Sequence, residues 1–223
     1  LVKLVIMRHG QSLANKNNIF TGWNDVPLTA EGELQAHLAG KKLFDEHIHF
    51  EDVHTSLLLR AIKTANIVLS EINQLYIREH KSWRLNERHY GNLRGKNKQD
   101  IKNKYGTDKF NAWRRGFYGL PPLLKASDAI NNYCNCGITE PLGESLSMAY
   151  QRLISYWTDS IAPNLMNNHN QLIVAHGSTL RALIKFLEVI PDEKINQVEV
   201  PNSQPIVYTF DRNLKILDKK III

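Results

Sequence analysis

Two short stretches limit the possible folds more than anything else in the chain. "LVKLVIMRHGQS" opens with an apolar run, Val2–Met7, that stops abruptly at Arg8-His9-Gly10. "QLIVAHGSTLRALIKFLEVI" repeats the arrangement: an apolar strand ending at Ala175, then His176-Gly177, then a helical pattern. Leu180, Leu183, Ile184 and Leu187 fall on one face of that helix, as the helical period requires. Ser178 or Thr179 is expected to cap its free N–H groups. Apolar strands that feed helices build parallel sheets covered on both faces. Such sheets bind ligands at the carboxyl ends of their strands. Two histidines at two such tips are therefore expected to face one site.

The remaining pattern extends the same architecture. Thr29 reads as the N-cap of a helix that runs to about Glu46, with Glu31 and Glu33 at its positive end. A short strand near Val53 leads to Ser56, and the helix after it carries Leu58, Ile62, Ala65, Leu69 and Ile72 as an apolar stripe. Arg60 lies on the opposite side of that helix, near its first turn, where the strand tip would deliver it to the site. Trp83–Tyr118 mixes loop with helix, Pro121-Pro122 breaks it, and an irregular excursion continues to Leu142. Glu144 begins a helix with Leu146, Tyr150, Leu153, Trp157 and Ile161 on one face, which Pro163 is expected to end. Ile206–Phe210 and Leu214–Leu217 read as closing strands around the Asp211–Asn213 turn. The expected fold is α/β: one domain over residues 1–223, a mostly parallel central sheet with helices on both faces, and a basic cap at about 81–142.

Charge is distributed unevenly. Between Lys81 and Arg115 stand eleven Lys or Arg against Glu87, Asp100 and Asp108, so this window is +8 and the rest of the chain −2, out of a net +6. Trp83, Tyr90, Tyr105, Phe110, Trp113, Phe117 and Tyr118 accompany it. A nucleic-acid surface using phosphates and stacking has this composition, and so does a cap that clamps a small polyanion. The paired His-Gly tips favour the second, because backbone binding to nucleic acid has no need of them. No apolar stretch approaches a membrane span, and Leu1–Met7 is too short for a signal sequence. Cys134 and Cys136 are expected to be free thiols in a reducing compartment, which implies the cytoplasm.

The two histidines admit two chemistries. A metal site needs a third ligand, and no H-x-x-x-H or Asp cluster supplies one, so no metal is expected. His37, His47, His49, His54, His80 and His169 have no chemical company in sequence and read as surface or structural. Phosphoryl transfer fits better, because its catalysis rests on positioning and fixed positive charge. Arg8, Arg60 and a protonated His176 would supply charge, and a neutral His9 would attack phosphorus. Nearby arginines would keep His9 neutral, while bound phosphate would favour protonated His176. Gly10 and Gly177 would let the backbone approach the phosphate.

"RHGQSLAN", "FTGWNDVPLT", "TSLLLRAIKTA", "ERHYGNLRGKNK", "WRRGF" and "AHGSTLRALIK" occur in that order from the first strand to the last. The set resembles the cofactor-dependent phosphoglycerate mutases of the histidine phosphatase superfamily. The resemblance implies interconversion of 3-phosphoglycerate and 2-phosphoglycerate through phospho-His9, primed by 2,3-bisphosphoglycerate, without a metal. It implies His176 as stabiliser of the transferring group and Glu87 as general acid and base. Arg8, Asn15 and Arg60 match the phosphate pocket. The substrate-binding set it implies is completed by Thr21, Gly22, Glu87, Arg88, His89, Tyr90, Lys98, Arg114, Arg115, Gly177 and Ser178. A bisphosphoglycerate carries about −4 to −5, so a basic cap is a suitable counterpart. Partners implied are small-molecule phosphoglycerates and, as in the family, further copies of the chain in a dimer or tetramer.

Three departures from the family pattern shape the alternatives. Ser178 stands where Asn is usual; its backbone N–H can still reach phosphate. Gln11 replaces Glu and Ala14 replaces Trp, changes expected to be tolerated. The Pro121–Glu140 excursion is shorter than in many relatives, and the chain ends at "DKKIII" without an evident tail. Both regions help to cover the site or build subunit contacts in the family, so some hydrolysis is expected beside exchange. A phosphatase or a bisphosphoglycerate synthase of the same superfamily is the alternative enzyme. A nucleic-acid-binding protein using residues 81–115 is the alternative outside enzymes.

Overall fold

The computed structural model describes residues 1–130 and 132–223. Its strands are β1 (Val2–Arg8), β2 (Asp52–Thr55), β3 (Arg78–Lys81), β4 (Gln171–Ala175), β5 (Ile206–Phe210) and β6 (Ile216–Ile221). The helices are α1 (Leu13–Lys16), α2 (Ala30–Asp45), α3 (Leu59–Glu71), α4 (Lys98–Tyr105), α5 (Thr107–Arg114), α6 (Leu146–Tyr156), α7 (Ala162–Met166) and α8 (Gly177–Glu188). The strands form one sheet in the order β3-β2-β4-β1-β5-β6. β3, β2, β4 and β1 run parallel, β5 pairs antiparallel with β1, and β6 pairs antiparallel with β5 at the edge.

Strand pleating sorts the apolar runs into two cores. Leu4 and Ile6 of β1, with Ile173 and Ala175 of β4, pack with Leu146, Leu153, Leu180 and Leu183 from α6 and α8. Val5, Met7, Leu172 and Val174 point the other way, onto Ala39 and Leu43 of α2 and Ala65, Val68 and Leu69 of α3. The central strands are hydrophobic on both faces because both faces are covered. Phe20, Tyr90, Leu93, Ile101 and Phe110 form a third, smaller core, with Tyr105 and Trp113 packed against it. Most aromatics of the basic window are thus consumed inside the cap rather than displayed for stacking.

The elements depart from the sequence expectations in four places. β3 was not foreseen, because Arg78-Glu79-His80-Lys81 is polar; it lies at the sheet edge, where only one neighbour is needed. The last strand lies two residues further on than expected, at Ile216–Ile221. Pro163 does not end its helix: a π-helical turn, Trp157–Ile161, precedes it, and Pro163 sits in the first turn of α7, where a missing N–H costs nothing. Neither Ser178 nor Thr179 caps α8. Its N-cap is His176, with no side-chain cap bond.

Gly10 also has a packing role that the sequence did not show. A Cβ on Gly10 would lie 2.1 Å from the Gly32 carbonyl oxygen, and one on Gly32 would lie 2.1 Å from that of Gln11. The loop after β1 is therefore packed backbone-to-backbone on the first turn of α2, whose N-cap Thr29 accepts the Gly32 N–H at 3.0 Å. Helix propensity alone makes Gly32→Ala stabilising by up to about 1 kcal/mol. The close approach reverses the sign, and Gly32→Ala is expected to lower stability by about 1–3 kcal/mol in urea unfolding. A raised midpoint would contradict this packing.

Candidate active site

β1 and β4 end level, Arg8 beside Ala175, and the His9 N–H donates to the Ala175 carbonyl at 3.0 Å. That register puts His9 and His176 side by side, both buried, with ring centroids 5.0 Å apart. Gly10 O lies 2.7 Å from His9 Nδ1. A carbonyl only accepts, so the neutral ring carries its proton on Nδ1 and leaves Nε2 bare. Burial, then Arg60 and Arg8, hold His9 well below the usual imidazole pKa, as a nucleophile requires. Burial, then Arg60, His9 and Arg8, depress His176 in the same direction. In the ligand-free protein the two rings are therefore both neutral, and the protonated His176 expected from the sequence was tied to bound phosphate.

Arg60 and Arg8 are held by backbone rather than by acids. Arg60, in the first turn of α3, is 1% exposed, and is the reverse of a solvated helix residue. Its Nη1 and Nη2 donate to Asn24 O at 2.9 Å and Gly22 O at 3.0 Å, and its Nε donates to His9 Nε2 at 3.3 Å. Gly22 has φ +55°, a left-handed conformation that glycine adopts without strain. Burial pushes the Arg60 guanidinium down to about 10. Arg8 Nη1 donates to Val200 O at 3.1 Å, and its Nε has no partner among the described residues.

Glu87 is placed by a buried network on the other wall. Arg152 of α6 pairs with Glu144 at 2.8 Å and donates to the carbonyls of Arg84, Asn86 and Glu87 at 2.7–3.1 Å. Glu144 accepts the His89 N–H at 2.9 Å. The loop around Glu87 is thus fastened at several points. The Glu87 carboxylate accepts N–H bonds from Arg88 at 2.8 Å and Ser178 at 3.2 Å. The uncapped start of α8 thus has a carboxylate on its second residue's N–H, as favoured at a helix N-terminus.

Residues 4–220 match the family profile of the histidine phosphatase superfamily (branch 1). The chain belongs to that superfamily. It is 51% identical over 225 residues to 2,3-bisphosphoglycerate-dependent phosphoglycerate mutase 2 of Lactobacillus johnsonii, covering 100% of this chain and 98% of that one. It is 50% identical to 2,3-bisphosphoglycerate-dependent phosphoglycerate mutase 1 of Latilactobacillus sakei, covering 98% of this chain and 94% of that one. Among solved structures, Bacillus stearothermophilus YhfR shares the fold, with a TM-score of 0.74 at 22% identity over 97% of this chain and 94% of that one.

In this histidine phosphatase superfamily member one cavity brings together Arg8, His9, Asn15, Thr21, Arg60, Glu87, Tyr90, Lys98, Arg114, Arg115, Gly177 and Ser178. His176 lies beside His9, 5.0 Å between ring centroids, and Gly22 acts through its carbonyl on Arg60. Arg88 and His89, placed in the substrate set from the sequence, do not line the cavity. Arg88 is wholly buried, donates to Trp113 O and lies over the Tyr90 ring. His89 is buried against Glu140 at 2.8 Å. The motif around Glu87 suggested both, but their side chains are taken up by the cap, Arg88 by Trp113 and Tyr90, and His89 by Glu140.

Three contributors were missed. Arg181 lines the cavity and donates to Arg115 O and Ile195 O at 2.7 and 2.8 Å. Its only sequence signal is an arginine interrupting the buried run after His176. Glu199 brings a carboxylate to the wall, 2.7 Å from Arg115, and Arg152 acts from beneath. Six cations thus share the cavity with two acids. Burial first, and then Arg114 and Arg8, push the Lys98 ammonium down to about 8.

The depressed histidines make stability depend on pH with a definite sign. His54, bonded to Tyr156 and Gln171, is pushed down to about 4 by burial, and His89 is lowered from the same first cause. With His9 and His176, four rings stay neutral when native and take up protons on unfolding near pH 6.5. Stability is therefore expected to change little between about pH 7 and 8 and to fall as pH drops below about 6.5. Each ring contributes up to about 1.4 kcal/mol per pH unit until its native form titrates. Urea unfolding at pH 7.5, 6.5 and 5.5 measures this. Equal midpoints at all three would mean that burial does not depress these rings.

Proposed function

We propose that this chain is a 2,3-bisphosphoglycerate-dependent phosphoglycerate mutase that interconverts 3-phosphoglycerate and 2-phosphoglycerate. The reading is carried by the bare, buried Nε2 of His9 lying 3.3 Å from Arg60 Nε, in a cavity shared with Glu87 and five further cations. The full-length mutase relatives support it. The donor set suits a bisphosphoglycerate: mutually repelling, desolvated cations, an orphaned Arg8 Nε, and a helix N-terminus. No described helix is long and apolar enough to cross a membrane, and the proposed setting is the cytoplasm. Among the described residues no cluster of His, Cys, Asp or Glu is arranged to hold a metal, and positive charge is assigned to protein cations.

His9 Nε2 attacks the phosphorus of the bisphosphate primer in line, forming N–P as the P–O bond to the glycerate carbon breaks. Glu87, protonated for this half-reaction, gives its proton to the departing oxygen. Arg8 and Arg60 face the equatorial oxygens, where the transferring group carries its charge. A 3-phosphoglycerate then offers its 2-hydroxyl, Glu87 takes that proton, and the new O–P bond forms as N–P breaks. The bisphosphate so formed reorients and returns its other phosphate to His9, leaving 2-phosphoglycerate. Arg114, Arg115, Lys98 and Tyr90 hold the carboxylate and the spectator phosphate, so that either hydroxyl can be presented. Bidentate arginines suit that task.

With 3-phosphoglycerate and a trace of 2,3-bisphosphoglycerate, 2-phosphoglycerate is expected to form much faster than free phosphate. His9→Ala abolishes exchange, and Glu87→Gln lowers it by about 10²–10⁴-fold while His9 still accepts phosphate. Exhaustive chelation leaves the rate unchanged. Phosphate release faster than isomerisation would assign the chain to the phosphatases instead.

A further inference from the structure

Ser56 follows the last residue of β2, and the mechanism above gives it no part. It and His176 are wholly buried, and its Oγ lies 2.7 Å from His176 Nε2. The same oxygen accepts the Leu58 N–H at 3.1 Å. His176 Nδ1 is buried and has no partner among the described residues.

Counting protons separates the two neutral tautomers. A hydroxyl has one proton to donate and two lone pairs to receive. If Nε2 carried the ring proton, Ser56 Oγ would accept twice, from Leu58 and from His176. Its own proton and the bare Nδ1 would then both be buried without a partner. If Nε2 is bare, the Ser56 proton goes to it, and Nδ1–H alone remains unsatisfied. Buried polar groups are rarely left orphaned, so the second arrangement is favoured. An imidazolium would strand the hydroxyl proton as well, and the Arg60 and Arg8 charges oppose it.

We propose that Ser56 is a positioning residue whose hydroxyl holds neutral His176 in the Nδ1–H tautomer, reserving that N–H as a fixed donor to the phosphoryl oxygens passing to and from His9. The proposal rests on the phosphoryl-transfer reading of the site. It also explains how two adjacent, neutral imidazoles take different tasks. His9 is set by an acceptor, Gly10 O on Nδ1, and so presents a lone pair. His176 is set by a donor, Ser56 on Nε2, and so presents a proton. Without that setting a lone pair on Nδ1 would face an oxygen anion.

Imidazole ¹⁵N NMR of the ligand-free protein, with His176 assigned by His176→Gln, tests the tautomer without reference to activity. The wild type and Ser56→Thr are expected to show protonated Nδ1 and bare Nε2. Ser56→Ala, folded by circular dichroism, is expected to lose that single tautomer. Its kcat should fall about ten- to a hundredfold, as when a second partner of a functional histidine is removed, with KM little changed. Ser56→Thr should recover most of the rate. Protonated Nε2 in the wild type would overturn the proposal, as would an unchanged kcat in folded Ser56→Ala. The stated tautomer in a protein that never phosphorylates His9 would instead remove the phosphoryl-transfer reading, and the donor's role with it.

Discussion

Positive charge buried without matching acid governs this molecule. Arg60 is almost wholly enclosed and is held by two carbonyls and an imidazole. Arg8, Lys98, Arg114 and Arg181 add charge nearby, each with its pKa lowered first by burial. Removing a cation from water is costly unless it is paired. Here the pairing is left for a ligand. Burial, and then the same field, hold His9 neutral, so in the proposed reaction the charge that would attract a polyanion also prepares the nucleophile.

Such a site needs a rigid frame, since like charges would otherwise move apart. Below the sheet tips the frame is the level ending of β1 and β4 with the helices packed on both faces. On the cap side it is Arg152 and Glu144, which fasten the loop around Glu87, together with the small core of Phe20, Tyr90, Leu93, Ile101 and Phe110. Arg181 and Arg88 complete it by taking the carbonyls of Trp113 and Arg115 at the end of α5, so that the Arg114 and Arg115 side chains reach the cavity. The mixture of basic and aromatic residues thus has two functions: aromatics build the cap, and the cations line it.

Sequence reading recovered most of the sheet and the residues that meet at its strand tips because both rest on local signals. A buried parallel strand is a continuous apolar run, and a strand tip that exposes Arg-His-Gly is an anomaly visible in three letters. β3 was lost because an edge strand needs neither an apolar run nor an alternating pattern. Arg88 and His89 do not line the cavity because Trp113, Tyr90 and Glu140, distant in sequence, hold their side chains. Arg152 and Ser56 were invisible, since an arginine on a helix and a serine after a strand are ordinary until their partners are known.

By itself, then, the sequence determined which residues end the parallel strands, where charge accumulates, and which chemistry that combination favours. These are properties of period, composition and motif order, and they survive without coordinates. Only the tertiary structure decided that His9 and His176 are both neutral at rest and that Glu87 occupies the start of α8. It also decided that the Gly10 backbone packs on α2 and that Ser56 reaches His176. Each of these depends on burial and on which donor meets which acceptor across 22 to 120 residues of chain. Desolvation and hydrogen-bond satisfaction are set by the surroundings a group has in space, and no local stretch of sequence specifies them.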